Sequence, residues 1–150
     1  MDKKMFCFQC EQTVGCAGCT GNAGVCGKKA DTARLQDELT GALIGLARAV
    51  DSTTAISKRT GQVIIEGLFT TVTNVNFDDV SIENMIQKVR AEKERLVPDC
   101  SKCQSPYGKT DEYDMQQLWN ANEDIRSLKS LILFGIRGMA AYAYHANVLN

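Results

Sequence analysis

The sequence has little net charge. Its 150 residues include 17 lysines and arginines and 18 aspartates and glutamates, which gives a formal net charge of −1. This balance supplies no strong electrostatic attraction to nucleic acid or to a membrane surface, so we expect neither as a partner. The short basic pairs Lys3-Lys4 and Lys28-Lys29 are interpreted as solvated surface.

Long apolar runs and a secretory leader are also missing. The most apolar segment, Leu131 to Ala143, is shorter than the roughly 20 residues of a membrane helix and is interrupted by Arg137. The chain begins Met1-Asp2-Lys3-Lys4 and reaches its first cysteine without the apolar stretch of a signal peptide. We therefore expect a cytoplasmic protein that does not span a membrane.

Histidine is nearly absent, which restricts the possible catalytic chemistry. His145 is the single histidine, and no Ser/His/Asp arrangement is visible. Because His145 stands among Tyr142, Tyr144 and Val148 in a helical pattern, it is interpreted as a packing or surface residue rather than a ligand.

Cysteine, in contrast, is abundant. The chain has seven cysteines, and five of them lie between Cys7 and Cys26. Without a signal peptide, this number indicates a reducing compartment and metal binding rather than a disulfide framework. The remaining pair, Cys100 and Cys103, stands in a stretch flanked by prolines and is interpreted as an incidental thiol pair.

The rest of the sequence has helical periodicity and predicts an all-α fold. An antiparallel helical bundle over residues 31–150 is expected to follow a cysteine-rich loop over residues 1–30, in one domain. The expected helices cover 31–50, 60–73, 81–96 and 122–146, and residues 98–121 are expected to be irregular, with Trp119 as a core plug. Asp31 or Thr32 is expected to cap the first helix, and the β-branched residues of the second leave a strand as an alternative.

Each expected helix has its own apolar positions. They are Leu35, Leu39, Ala42, Leu43, Leu46 and Val50 in the first helix; Val63, Ile64, Gly67 and Leu68 in the second; Ile82, Met85, Ile86 and Val89 in the third; and Ile125, Leu128, Leu131, Ile132, Ile136, Met139 and Tyr142 in the fourth. Such stripes are typical of helices that pack on one face.

The spacing of the N-terminal cysteines favours a shared metal centre. Cys7-Phe8-Gln9-Cys10 and Cys16-Ala17-Gly18-Cys19 are both CxxC motifs, in which one tight turn directs two thiols at one centre, and Cys26 follows after six residues. The intervening glycines allow the backbone to fold closely around an inorganic core. Spacing alone leaves two main alternatives, a four-cysteine iron–sulfur cluster and a structural zinc site of Cys7, Cys10, Cys16 and Cys19.

Several stretches resemble the hybrid-cluster proteins, also called prismane proteins or hydroxylamine reductases. They are Phe6 to Thr13, Gly18-Cys19, Val25 to Lys28, Leu35 to Asp37, Gly67 to Asp79, Asn122 to Leu128, Ala141-Tyr142 and His145-Ala146, so the similarity extends with gaps over nearly the whole chain. The cysteine run and Thr73-Asn74-Val75-Asn76-Phe77-Asp78 are the most specific parts.

The resemblance implies an N-terminal helical domain whose cluster is held by Cys7, Cys10, Cys19 and Cys26, with Cys16 as an extra cysteine. Eight residues between Cys10 and Cys19 match the family's 4Fe-4S subgroup rather than its 2Fe-2S subgroup, although the six residues before Cys26 exceed that subgroup's usual five. In the family, electrons pass from this cluster to a hybrid Fe-S-O cluster that reduces hydroxylamine to ammonia, and nitric oxide reduction is also ascribed to it.

Two further expectations follow from the resemblance. Family members are several times longer and their hybrid-cluster ligands have no counterpart here, so we expect an N-terminal fragment whose partners are a redox protein donor and the remaining domains of the parent enzyme. Such a fragment would not be an enzyme by itself. The alternative is a zinc-stabilised helical interaction module without redox chemistry.

Overall fold

The structure, a computed structural model, describes residues 5–10, 17–50, 55–72, 76–97 and 111–149. Five helices form in these ranges: α1 (Ala30–Ala49), α2 (Lys58–Thr70), α3 (Asp79–Leu96), α4 (Met115–Trp119) and α5 (Glu123–Leu149). Within the same ranges the only β pairing is a single bridge between Cys7 and Cys19. The expected all-α fold, a helical bundle behind an N-terminal cysteine-rich segment, is therefore confirmed for this part of the chain.

Helices α1 and α2 run antiparallel. Leu43 on α1 lies against Gly67 on α2, where an added Cβ would come within 2.7 Å of the leucine side chain. Thr40 lies one turn before Leu43, and Thr71 lies one turn after Gly67. Both threonines accept hydrogen bonds from the guanidinium of Arg137. From the Leu43/Gly67 contact to the Thr40/Thr71 pair, the residue number falls on α1 and rises on the α2 side, so the two helices are antiparallel.

Helices α2 and α3 are also antiparallel, since Thr60 near the start of α2 hydrogen-bonds Glu92 near the end of α3 and Glu66 pairs with Lys88. As a result α1 and α3 run parallel, and Thr32 and Asp79 join their first turns through a hydrogen bond of 2.6 Å.

The core lies between α1, α2 and α3 and consists of the residues that the sequence pattern predicts. Buried members are Leu35, Leu39, Ala42, Leu43, Leu46, Val63, Ile82, Met85, Ile86 and Val89, with Ile64, Leu68 and Leu96 packed against them. Burial of these side chains from three helices is the main hydrophobic contribution to the fold.

The ends of the first two helices differ from the expectation. Lys29 is the N-cap of α1 and makes no capping hydrogen bond through its side chain, so the predicted caps Asp31 and Thr32 are wrong. Both lie in the first turn, where Thr32 hydrogen-bonds α3 instead. The second segment is a helix and not a strand, and Ser57 caps it by accepting from the Thr60 N–H.

Helix α4 lies in a segment for which the sequence predicts no regular structure. Asp114 caps it by accepting from the Gln116 N–H, and Met115 and Leu118 are buried against Phe8. The Trp119 ring lies 5.0 Å from the ring of Phe8 and is half-buried. Trp119 therefore packs between α4 and the cysteine segment, not in the centre of the bundle.

A close approach between α1 and the chain before α4 requires glycine. The Tyr113 N–H donates to the Gly41 carbonyl over 3.2 Å. A Cβ at Gly41 would overlap the Tyr113 carbonyl oxygen, which is backbone and has no rotamer with which to move away.

Helix α5 forms as expected, but its predicted apolar stripe does not enter the core. Only Arg137 and Ala140 are buried among its described residues. The exposed residues include Leu131 at 67%, Ile132 at 64% and Met139 at 71%. Periodicity thus predicts the helix correctly and leaves open what its apolar face contacts. His145 is a surface residue, as predicted, with its ring 5.5 Å from that of Phe69.

Among the described residues, no helix combines the length and the apolar character needed to cross a membrane.

Glu92 joins the end of α3 to the start of α2. Its side chain is 1% exposed, and its carboxylate accepts hydrogen bonds from Arg95, Arg59 and Thr60 at 2.6–3.0 Å. The hydrogen bonds from Arg95, followed by that from Thr60, lower the pKa of Glu92 from 4.5 to about 2.

We expect Glu92→Gln to lower the free energy of unfolding at pH 7 by about 2 kcal/mol, since it removes charge-assisted hydrogen bonds. Because the folded pKa lies below the ordinary 4.5, the ionised carboxylate stabilises the fold fully above pH 4.5 and this contribution is lost as the pH falls through about 2. Urea unfolding at several pH values should show the difference between Glu92→Gln and the parent chain shrinking from pH 5 to pH 3. The exposed Glu94 on the same helix supplies the control, Glu94→Gln. Equal effects of the two variants at pH 7 would contradict this prediction.

Candidate metal centre

The four cysteines expected as ligands all lie in described residues. Cys7, Cys10, Cys19 and Cys26 are free thiols; Cys7 is buried, Cys10 and Cys19 are half-buried, and Cys26 is exposed. They belong to the segment before α1, residues 5–10 and 17–29, which we call the cysteine loop. The extra cysteine Cys16 and the pair Cys100/Cys103 lie outside the described residues.

Cys7 and Cys19 are brought together by the backbone. The Cys7 N–H donates to the Cys19 carbonyl at 3.1 Å, and the Cys19 N–H donates to the Cys7 carbonyl at 2.7 Å. Gly18 makes this bridge possible, because its φ is +63° and an added Cβ would lie 2.9 Å from the Cys7 carbonyl oxygen.

Cys26 is positioned by a tight turn. The Gly27 N–H donates to the Gly24 carbonyl and the Gly24 N–H donates to the Lys28 carbonyl, each at 2.8 Å. A Cβ at Gly24 would touch both the Cys26 sulfur and the Met5 methyl at 3.4 Å. Since Met5 packs with Cys7 and Cys19, the turn holds Cys26 beside the bridged pair.

The thiols lie in neighbouring segments but do not form a closed cage for one ion. Across the described residues, no three His, Cys, Asp or Glu side chains are grouped so as to hold a metal ion. Unbridged thiols on a glycine-rich, hydrogen-bonded loop fit thiophilic centres, which include both zinc and iron–sulfur clusters.

The surroundings of Cys7 have opposing effects on its ionisation. Burial raises the pKa of the Cys7 thiol, while the backbone N–H of Gln9 and the charge of Lys28 lower it. Asp37 and Cys19 raise the pKa further. Because metal ligation requires the thiolate, the N–H of Gln9 and the ammonium of Lys28 act in the direction that favours ligation.

A buried polar network joins the cysteine loop to α1. Lys28 is 1% exposed, and its ammonium donates to the Gln9 side-chain carbonyl at 2.8 Å. The Gln9 amide in turn donates to the Asp37 carboxylate at 2.6 Å and to the Ala33 carbonyl at 3.0 Å. The interpretation of Lys28 as solvated surface is thus wrong, whereas its neighbour Lys29 is exposed as expected.

Asp37 carries the negative charge of this network. Burial raises its pKa from 3.8 to about 6, although the hydrogen bond from Gln9 and the charges of Arg137 and Lys28 act to lower it. The carboxylate is therefore ionised at neutral pH but protonates more readily than an exposed aspartate.

A second buried cation, Arg137, comes from α5. Its guanidinium is 3% exposed and donates to Thr71 at 3.0 Å and to Thr40 at 2.8 Å, while its Nη1 has no hydrogen-bond partner among the described residues. Burial lowers the pKa of Arg137 to about 10, and the charges of Asp37 and Cys7 oppose that shift. Arg137 remains charged at neutral pH and lies within electrostatic range of the buried thiol.

Sequence reasoning missed the roles of Lys28 and Arg137. Two adjacent lysines give no sign of which one is buried, because that depends on the turn after Cys26. The position of Arg137 could have indicated its role. An arginine within an apolar helical run is costly to bury unless polar groups hydrogen-bond it, so such a residue suggests a buried polar network.

Comparison with known proteins identifies close similarity to one group of enzymes. The chain is 38% identical to a hydroxylamine reductase of Clostridium perfringens, over 95% of this chain and 30% of that protein. It is 39% identical to a hydroxylamine reductase of Porphyromonas gingivalis, over 99% of this chain and 30% of that protein. For a hydroxylamine reductase of Methanococcus vannielii the identity is 38%, over 97% of this chain and 30% of that protein.

The chain thus spans about 30% of the length of these relatives. The model of the Prismane/CO dehydrogenase family matches residues 5–150, which include the whole of the described cysteine loop and all five helices. The resemblance stated from the sequence is confirmed: the chain belongs to the Prismane/CO dehydrogenase family.

Proposed function

We propose that the chain is the N-terminal iron–sulfur electron-transfer domain of a hydroxylamine-reductase-type oxidoreductase. The observation that carries the proposal is the cysteine loop, which contains four free thiols and in which a glycine-dependent backbone bridge and turn position Cys7, Cys19 and Cys26. The relatives named as hydroxylamine reductases supply the reaction class. A cytoplasmic location is part of the proposal, because free thiols fit a reducing compartment.

Cys7, Cys10, Cys19 and Cys26 are the proposed ligands, and the eight residues between Cys10 and Cys19 favour 4Fe-4S over 2Fe-2S. Such a cluster, when bound, supplies one-electron transfer. The protein's part is to hold the four thiolates, to donate the Gln9 N–H to the Cys7 sulfur and to keep one side of the site dry with Met5 and Ala33.

The different burial of the thiols supports a proposed direction of electron transfer through the domain. Cys26 and its neighbour Val25 are exposed, which makes this side the entry point proposed for a redox protein donor. Cys7 lies on the buried side, against α1. Reduction of hydroxylamine to ammonia and water consumes two electrons and two protons, so two electrons must pass in succession for each substrate molecule.

The apolar face of α5 is the surface proposed to contact the rest of the parent enzyme. We call it the α5 face and define it as the exposed residues Leu128, Leu131, Ile132, Met139 and Tyr142, which are 59–83% exposed. Contiguous exposed apolar patches usually mark interaction sites. The relatives are more than three times longer than this chain, so their remaining segments are the natural occupant.

Iron content tests the ligand assignment. We expect Cys7→Ser, Cys10→Ser, Cys19→Ser and Cys26→Ser each to lose most of the iron that the parent chain binds anaerobically, because each removes one of four thiolate ligands. The control variant, Cys16→Ser, should keep its iron. Loss of metal from Cys16→Ser with retention in Cys26→Ser would support the two-CxxC site instead. A colourless protein containing zinc would support the helical interaction module.

We expect the iron-loaded 150-residue chain not to turn over hydroxylamine by itself. A cluster with four thiolate ligands offers the substrate no open iron position, and the resemblance assigns the reaction to the hybrid Fe-S-O cluster. Ammonia production with a reduced chemical donor under anaerobic conditions is the measurement. Steady turnover that disappears in Cys7→Ser would show that this chain is the enzyme.

If the α5 face contacts the rest of the parent enzyme, a mutation on it should destabilise the longer protein more than the 150-residue chain. Leu131→Gln should leave the free energy of unfolding of the 150-residue chain within about 0.5 kcal/mol of the parent value, as for other exposed positions. In a protein extended to the length of the relatives, the same change should cost about 2 kcal/mol, as expected for a buried leucine. Glu123→Gln, at an exposed position on the same helix, is the control. An equal, small effect of Leu131→Gln at both lengths would remove the α5 face as the contact.

A further inference from the structure

Lys28 and Lys29 are adjacent lysines in different environments. The Lys28 side chain is 1% exposed, whereas Lys29 is exposed to solvent at the start of α1. A buried ammonium is costly unless hydrogen bonds or an opposite charge compensate it. Within the described residues Lys28 makes no ion pair, and its hydrogen bond goes to the neutral side chain of Gln9 at 2.8 Å.

The position of Lys28 places its charge among the proposed ligands. Lys28 follows Cys26 by two residues and accepts the Gly24 N–H that closes the turn around that cysteine. Its hydrogen-bond partner Gln9 stands between Cys7 and Cys10. The ammonium is therefore attached to both the first and the last cysteine segments of the loop.

The nearest negative charge described along this network is Asp37, which is separated from the Lys28 ammonium by Gln9. Asp37 binds the other end of the Gln9 amide, so Gln9 separates the ammonium from the carboxylate. Arg137 is a second buried cation, and its hydrogen bonds bind it to Thr40 and Thr71. The two buried cations outnumber the half-buried carboxylate of Asp37, and positive charge near the thiols is compensated when they bind a centre as thiolates.

Resting on the proposed function, we propose that Lys28 is a positioning residue that raises the reduction potential of the centre held by Cys7, Cys10, Cys19 and Cys26. One electron passes from a one-electron donor protein to the centre, which becomes more negative by one charge, and no bond is made or broken. A buried ammonium stabilises the more negative form. Charge, hydrogen bonding and burial are the recognised means by which a protein sets such a potential.

The size of the effect depends on solvent screening. Charges in the interior interact with much less screening than charges in water. The exposed ammonium of Lys29 is screened by solvent and salt, although it stands next to Lys28 in the sequence. The two lysines therefore form a matched pair, with the same charge and adjacent positions in the sequence but different burial.

The test is an anaerobic redox titration of the full 150-residue chain loaded with iron and sulfide, at pH 8, where Asp37 is ionised. Lys28→Met and Lys29→Met each remove one positive charge. We expect Lys28→Met to lower the equilibrium constant for one-electron reduction at least tenfold, which is about 59 mV. Lys29→Met should change it less than threefold, and only the Lys29 difference should shrink as salt is added.

Two further variants separate charge from packing. Lys28→Arg retains the charge and should keep the potential within threefold of the parent equilibrium constant. Asp37→Asn keeps an acceptor for the Gln9 amide but removes the negative charge, so it should shift the potential upward. A purely structural role would not produce opposite signs at Lys28 and Asp37. Iron content and thermal unfolding of each variant show that the compared proteins are loaded and folded.

The outcomes are distinguishable from failure of the proposed function. If the parent chain binds zinc or shows no redox signal, the proposed function is wrong. If the parent chain is redox-active but Lys28→Met and Lys29→Met have the same potential, the role of Lys28 is wrong. If Lys28→Met fails to bind iron, Asp37→Asn decides: an upward shift supports the electrostatic role, and an unchanged or lowered potential overturns it.

Discussion

The side-chain amide of Gln9 is the interaction on which the position of the cysteine loop depends. About half of the loop is glycine, alanine or cysteine. Besides the buried Met5 and Phe8, it has few large side chains with which to attach to the bundle. Gln9 binds the Ala33 carbonyl and Asp37 on α1 and accepts from Lys28 at the other end of the loop. Three fixed hydrogen bonds from one buried residue define where the first CxxC motif lies relative to the bundle. The Cys7–Cys19 bridge then fixes the second half of the loop relative to this motif.

The bundle itself could be predicted because its core follows helical periodicity. Leu35, Leu39 and Leu46 on α1, together with Ile82 and Val89 on α3, are buried as their spacing requires. Such a stripe of apolar residues is enough to predict both the helix and the face that it buries. Helix α4 has five residues, too few for a periodic signal, and it depends on contacts with Phe8 that are distant in sequence. Its absence from the sequence prediction has this physical cause.

The family could also be predicted, but the charges around the cysteines could not. Whether Lys28 or Lys29 is buried depends on the turn that Gly24 and Gly27 make after Cys26. The capping prediction failed for a related reason, since Thr32 lies inside the first turn of α1 and hydrogen-bonds Asp79 on α3. In both cases a tertiary hydrogen bond overrides the local preference of the residue type.

Helix α5 connects the proposed centre with the surface proposed for the rest of the parent enzyme. One side of it inserts the Arg137 guanidinium between α1 and α2, where it hydrogen-bonds Thr40 and Thr71. The α5 face on another side, with Leu131 and Met139, is exposed. Arg137 on this helix is a buried cation within electrostatic range of Cys7. The contact proposed on the α5 face and the buried cation near Cys7 thus belong to the same helix.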